Sequence, residues 1–195
     1  MILMIVVPLA LLAGVVRGGS MANVATLPLR GVALVALALG LQIALYLPGI
    51  RSSALTQRAG WGMYVCSLAL IVAFMLRNWG LGSWIRLAAL GLSLNVAAIL
   101  ANGGHMPTDL SALRALRGGG EVRAVSDRAS FSNTRPATAR TRLTPLTDVI
   151  PIPVPPGAGN VYSVGDILLA VGVAGLAYRA TRGQVVASPD RGAGG

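Results

Sequence analysis

The stretch at 160–179, NVYSVGDILLAVGVAGLAYR, decides how this chain is read. From 161 to 178 it is apolar apart from one carboxylate, and at 1.5 Å per residue a helix of that length reaches about 27 Å, close to the thickness of a bilayer's hydrocarbon core. The carboxylate, Asp166, stands near its mouth. Ser163-Val164-Gly165-Asp166 fits the S-x-x-D capping box, in which the serine oxygen accepts from the third helical amide while the carboxylate reaches back to the amide of the cap residue. The positive end of the helix dipole favours the same placement. A helix cap is therefore the first reading of Asp166. The second is a working group, because a carboxylate beside an apolar layer costs free energy and often marks an ion or solute path.

Four more runs of the same kind precede it, at 1–16, 29–47, 59–76 and 84–101. Together the five predict an all-α integral membrane protein, a five-helix transmembrane bundle with one long, partly disordered, Pro-rich connection. Residues 1–101 form the four-helix transmembrane region, 102–160 the extramembrane connection, 161–180 the fifth helix and 181–195 a disordered tail. The first run is taken as a helix rather than a signal peptide, since no basic residue precedes it and Arg17 follows it. Pro8 and Gly14 weaken that helix, which neighbouring helices in a membrane can tolerate.

Composition points the same way. The 195 residues are 54% hydrophobic and 11% charged with a mean hydropathy of +0.70, too few charges to clothe a soluble globule of this size. All 16 basic residues are Arg against 6 acids, a net charge of +10 that would suit nucleic acid if it formed a basic face. It does not: the Arg residues lie between apolar runs or in one long loop, as expected of helix ends and lipid headgroups. No nucleic-acid partner is expected. Cys66, the only cysteine, cannot form an intramolecular disulfide or a thiolate cluster and is expected to be a packing residue. Tyr46, Trp61, Trp79, Trp84, Tyr162 and Tyr178 mark the edges of the runs, where amphipathic rings prefer to sit. Seven Arg residues, 17, 30, 77, 86, 179, 182 and 191, fall on one side of the five crossings and only Arg51 and Arg58 in the second connection, so the N-terminus is expected outside. The seven Arg residues of the long connection oppose this, but long loops translocate largely regardless of charge.

The connection divides into three. PTDLSALRALRGGG, at 107–120, offers Thr108 or Asp109 as an N-cap and three glycines as a stop, and predicts a short surface helix. EVRAVSDRASFSNTRPATARTR, at 121–142, has too little apolar surface to offset the entropy of ordering and is expected to be mobile. LTPLTDVIPIPVPPGAGN, at 143–160, carries five prolines and is expected to run extended, packing Val149, Ile150, Ile152 and Val154 on the mouth of the bundle.

A polar mouth is the candidate site: Asp166, Ser163, Asn102, His105 and Asp148. NGGHMP, at 102–107, reads first as a helix C-terminus, with glycines for the left-handed turn and Pro107 as a stop. His105 adds the chain's only side chain whose ordinary pKa lies near neutrality, and Asp109 could pair with it if the segment were helical. Within the apolar runs Gln42, Asn95 and Ser93 are polar exceptions, expected to hydrogen-bond to neighbouring helices. Gly31, Gly40, Gly60, Gly91, Gly172 and Gly175 favour close helix packing. One His and scattered Asp give no metal-ligand spacing, and the G-x-S-x-G, H-E-x-x-H and phosphate-loop patterns are absent, so neither catalysis nor a cofactor is expected.

The order GVVRGGSMANVATLPLRG, Gln42, NGGHMP, LTDVIPIPV and YSVGDILLAVG resembles an uncharacterised family of small bacterial multi-pass membrane proteins, a domain of unknown function with the serial five-three-one-seven. The resemblance spans nearly the whole chain apart from the Arg-rich loop and the tail. It implies an integral membrane location and a bacterial origin and supplies no activity to carry over; the expected location is the bacterial inner membrane, crossed several times. The expected function is a non-catalytic scaffold or accessory subunit, with a small-solute or lipid-headgroup binder or transporter as the alternative. Membrane lipids, and a protein partner or a second copy of the chain, are the expected partners.

Overall fold

The computed structural model of the chain describes residues 2–116, 133–153 and 159–185. Its principal helices are α1 (Ile2–Val16), α3 (Val32–Tyr46), α4 (Ala54–Arg77), α5 (Ser83–Ala101) and α7 (Val164–Thr181), with two short ones, α2 (Met21–Ala25) and α6 (Leu110–Leu116). The long helices pack in a row, α3 on α4, α4 on α5, α5 on α7 and α7 on α1. Burial follows that order. α5, near the middle, buries Ile85, Ala88, Ala89, Gly91, Leu92, Asn95, Ala98 and Ile99, whereas α1 at one end buries only Gly14 and α3 at the other only Ala38 and Leu45. Met4, Leu9 and Leu12 of α1 and Leu37, Leu39 and Ile43 of α3 stand exposed, so both ends of the row present large apolar side chains outward.

α4, α5 and α7 are long and apolar enough to cross a membrane. α1 and α3 have 15 residues each, about 22 Å, which is shorter than a typical hydrocarbon core. The shortening of α3 against the expected run at 29–47 has a local cause. Asn78, at the end of α4, grips the backbone of Arg30 twice, accepting from its amide and donating to its carbonyl, both at 2.8 Å. With Arg30 held there and Gly31 in the left-handed region at φ 75°, the helix starts only at Val32. α4 gains instead: Ser53 accepts from the Thr56 amide at 3.2 Å and starts the helix five residues before the apolar run at 59.

At the end shared by α1 and α7 a different device closes the chain. The carbonyl of Thr181, at the C-terminus of α7, accepts from the Ser20 amide at 2.8 Å and from the Asn23 side chain at 2.7 Å, so α2 satisfies a helix end that would otherwise be orphaned. Gly14 makes this possible. A Cβ there would collide with the side chain of Thr181.

The connection corrects the all-α expectation. Among the described residues it holds four short strands: β1 (Met106–Thr108) pairs in parallel with β2 (Thr134–Pro136), and β3 (Ile150–Ile152) pairs antiparallel with β4 (Asn160–Tyr162), Ile150 opposite Tyr162. The prolines do enforce extended backbone as expected, but extended backbone also pairs, and Pro151 is tolerated in a two-stranded ribbon where it can lie at an edge. β4 takes Val161 and Tyr162 from the predicted fifth helix, which begins instead at Val164 with Ser163 as its cap. Asp109, not Thr108, caps α6, its Oδ1 accepting from the amides of Ser111 at 2.8 Å and Ala112 at 3.2 Å. Thr108 belongs to β1. The glycines at 118–120, most of the Arg-rich segment, Val154 and the end of the tail lie outside the described residues.

Candidate functional site

The site starts from the first turn of α7. Ser163 and Asp166 form the predicted capping box: Ser163 Oγ accepts from the Asp166 amide at 2.9 Å, and Asp166 Oδ2 accepts from the Ser163 amide at 3.2 Å. The box is closed from outside by Asn95 on α5. Its Nδ2 donates to Asp166 Oδ1 at 2.7 Å and its Oδ1 accepts from the Ser163 hydroxyl at 2.7 Å. The contact needs the two backbones very close, and small residues supply that: a Cβ on Gly165 would strike Asn95 Oδ1 and the Gly91 carbonyl, and one on Gly91 would strike the Gly165 carbonyl.

Above this ring the connection brings in a second carboxylate. Asp148 runs beside β1, its amide donating to the Pro107 carbonyl at 3.0 Å and its carbonyl accepting from the Asp109 amide at 2.9 Å. Thr108 donates its hydroxyl to Asp148 Oδ2 at 3.0 Å. The other oxygen, Oδ1, is buried and has no hydrogen-bond donor among the described residues. Burial, and secondarily the charge of Asp166, push the Asp148 carboxyl up to about 7, while the Thr108 hydrogen bond pulls in the opposite sense.

Asp148, Asp166 and Asn95 line one cavity of about 190 Å³. Tyr64 of α4, Asn133 just before β2 and Thr134 at the start of β2 complete its polar part; Asn133 donates to the Tyr64 hydroxyl at 3.1 Å and accepts from the Tyr46 hydroxyl at 2.8 Å. Leu68, Leu92, Ile99, Met106 and Leu169 form the apolar walls. The cavity thus lies where α4, α5 and α7 meet the connection, with polar groups on one side and hydrocarbon on the other.

Of the residues singled out in the sequence, Asp166, Ser163, Asn95 and Asp148 come together, with Ser163 fully buried behind the carboxylate. Asn102 does not line the cavity. It ties the end of α5 to the connection, donating to the carbonyls of Ala98 and Arg142 and accepting from the Arg142 amide, each at 2.8 Å. His105 is half-buried ahead of β1 and also outside the lining; the segment is extended, which removes the helical spacing on which a pairing with Asp109 depended. Gln42 bridges α3 to α4 through Ser67 at 3.0 Å, and Ser93 is exposed. Cys66 is exposed rather than packed. Tyr64, Asn133 and Thr108 were missed as site residues. Tyr64 looked like one more apolar-run residue, Thr108 like a helix cap, and Asn133 sat in a segment without periodicity. No cluster of three or more His, Cys, Asp or Glu residues that could hold a metal exists among the described residues.

The arrangement defines a class, a protein of apolar helices with a polar pocket at one end, roofed by a single long connection. The chain belongs to DUF5317, a family of unknown function, whose family model matches residues 26–178. That match takes in the whole pocket and leaves α1 outside it. No curated protein and no solved structure matches the chain.

Proposed function

We propose that the chain is a multi-pass protein of a bacterial inner membrane, crossing it five times, and that it binds a small solute, without catalysis, in the pocket between α4, α5, α7 and the connection. The observation that carries this is the Asp148 carboxylate, which lines the cavity with one oxygen buried and unsatisfied; such a group costs free energy that a bound donor would recover. A five-span topology supports placing α1 and α3 in the hydrocarbon despite their length, because their outer faces are apolar and a bilayer thins locally around short spans. It also sets Arg17, Arg30, Arg77, Arg86, Arg179 and Arg182 at the end away from the pocket, where no acidic residue lies among the described residues. That end is cytoplasmic by the preference of Arg for that side, so the pocket faces outward.

The scaffold reading draws on the exposed faces of α1 and α3, the two ends of the row, which would meet lipid, a protein partner or a second copy. Binding in the pocket is tested by thermal unfolding of the protein in lipid nanodiscs against a panel of small solutes, beside Leu169→Trp, which fills the cavity. A solute that stabilises the parent and not the variant supports the reading; solutes that stabilise both alike, or neither, overturn it. Orientation is tested in a Cys66→Ser background by labelling Ser52→Cys and Ser130→Cys. Labelling of both only from the cytoplasmic side would reverse it.

A further inference from the structure

The polar side of the pocket is almost fully spoken for. Asp166 has both oxygens engaged, Oδ1 by Asn95 and Oδ2 by the Ser163 amide. Asn95 Oδ1 takes the Ser163 hydroxyl and Asn133 Oδ1 takes the Tyr46 hydroxyl. Among the buried side-chain atoms of the described residues, the one left without a partner is the acceptor Asp148 Oδ1. A ligand must therefore bring a donor.

Charge narrows the choice. Asp148 feels the charge of Asp166, and no guanidinium offsets it among the described residues. Among the described residues the groups that face it are Asp166 from α7, the Thr108 hydroxyl from β1, Tyr64 from α4 and Tyr162 from β4, none of them cationic. An anion would meet two carboxylates; a cation would relieve them. A hydrated divalent ion is a poor match, since calcium asks for six to eight oxygens and magnesium for an octahedral set, whereas half of this wall is hydrocarbon. An ammonium needs fewer acceptors and carries an apolar body. The volume suits one: a cavity of about 150 Å³ admits benzene in another protein, so about 190 Å³ has room for a short alkyl chain with its head group.

Building on the solute-binding reading, we infer that the pocket's ligand is a small organic ammonium, its head held between Asp148 and Asp166 and its body against Leu68, Leu92, Ile99 and Met106. Binding is coupled to a proton. With burial and Asp166 raising the Asp148 carboxyl to about 7, the empty pocket holds a proton there at mildly acidic pH, and the arriving cation displaces it to solvent. An alkylammonium stays charged throughout, like a lysine side chain, so affinity rises with pH as Asp148 ionises.

The test is calorimetric titration of the full chain in phosphatidylcholine nanodiscs with n-butylammonium, n-butanol and butyrate, empty nanodiscs serving as the blank. The expected result is binding of n-butylammonium about tenfold or more tighter than n-butanol, no binding of butyrate, and tighter ammonium binding at pH 8 than at pH 6. Asp148→Asn is expected to weaken the ammonium about tenfold and leave the alcohol unchanged. Equal affinity for ammonium and alcohol, or tighter binding of butyrate, overturns the cationic class while leaving a solute-binding pocket in place. Binding of none of the three overturns both. Because the parent protein alone separates these outcomes, a variant that fails to fold does not remove the test.

Discussion

Asn95 and Asp166, 71 residues apart, are joined by a 2.7 Å hydrogen bond that locks the middle of one apolar helix to the first turn of another. The same asparagine accepts from the Ser163 hydroxyl, so it completes a cap that its own helix does not contain.

Asn95→Ala removes both bonds at once and leaves Asp166 Oδ1 and the Ser163 hydroxyl without that partner. It is expected to lower stability by about 1–3 kcal/mol, read as a fall in the thermal midpoint in detergent. Ser163→Ala, which loses the cap oxygen itself, is expected to cost about 1 kcal/mol. An Asn95→Ala protein as stable as the parent would show that the interhelical ring contributes nothing.

The seam between α5 and α7 gives a sharper contrast. A Cβ on Gly172 would run into the backbone at Ala88 and Trp84, whereas one on Gly40 of α3 meets nothing within 4 Å. Gly172→Leu is expected to prevent correct assembly, seen as loss of monodisperse protein on extraction. Gly40→Ala is expected to be neutral or stabilising by up to about 1 kcal/mol, since alanine is the better helix former.

Stability should depend on pH through Asp148. Its carboxyl titrates near 7 in the folded chain and near 4 when unfolded, so between those values the folded state holds a proton that the unfolded state has released. The contribution is whole below about pH 4, drains as the pH rises toward about 7, and is gone above it. Asp148→Asn is expected to flatten that slope and to unfold at a higher temperature than the parent at pH 8. A parent midpoint that climbs across the window would contradict the burial of this group.

Asn78→Ala frees the Arg30 peptide. The amide of Arg30 is expected to exchange with deuterium faster, with the first turn of α3 following, while the pocket amides keep their protection. No change at Arg30 would mean that α4 does not set where α3 begins.

Much of the helical framework was legible because its signals are local. Apolar length marked α1, α4, α5 and α7, and the capping box at Ser163 and Asp166 could be read because its two residues lie three apart. Asn95 shows the limit: its polarity inside an apolar run flagged it, but its partners lie 68 and 71 residues away and no periodicity connects them. The strands were hidden for a different reason. Proline at 151 and 153 and three-residue lengths suppress every alternation signal, so pairing of Ile150–Ile152 with Asn160–Tyr162 emerges only from tertiary placement. Asp148 was among the candidate residues, yet its setting, with Oδ2 held by Thr108 and Oδ1 without a donor among the described residues, follows from a strand that the sequence offered as a helix cap.

The glycine seam also restricts how the molecule can move. With Gly91 against Gly165, and Gly172 against Ala88, the two helices interlock main chain to main chain and leave no lubricating layer of flexible side chains along which one could slide or rock. The α5 and α7 side of the cavity is thus its stiff side, and if the pocket takes up a solute, the yielding would fall to its other lining elements, α4 and the connection.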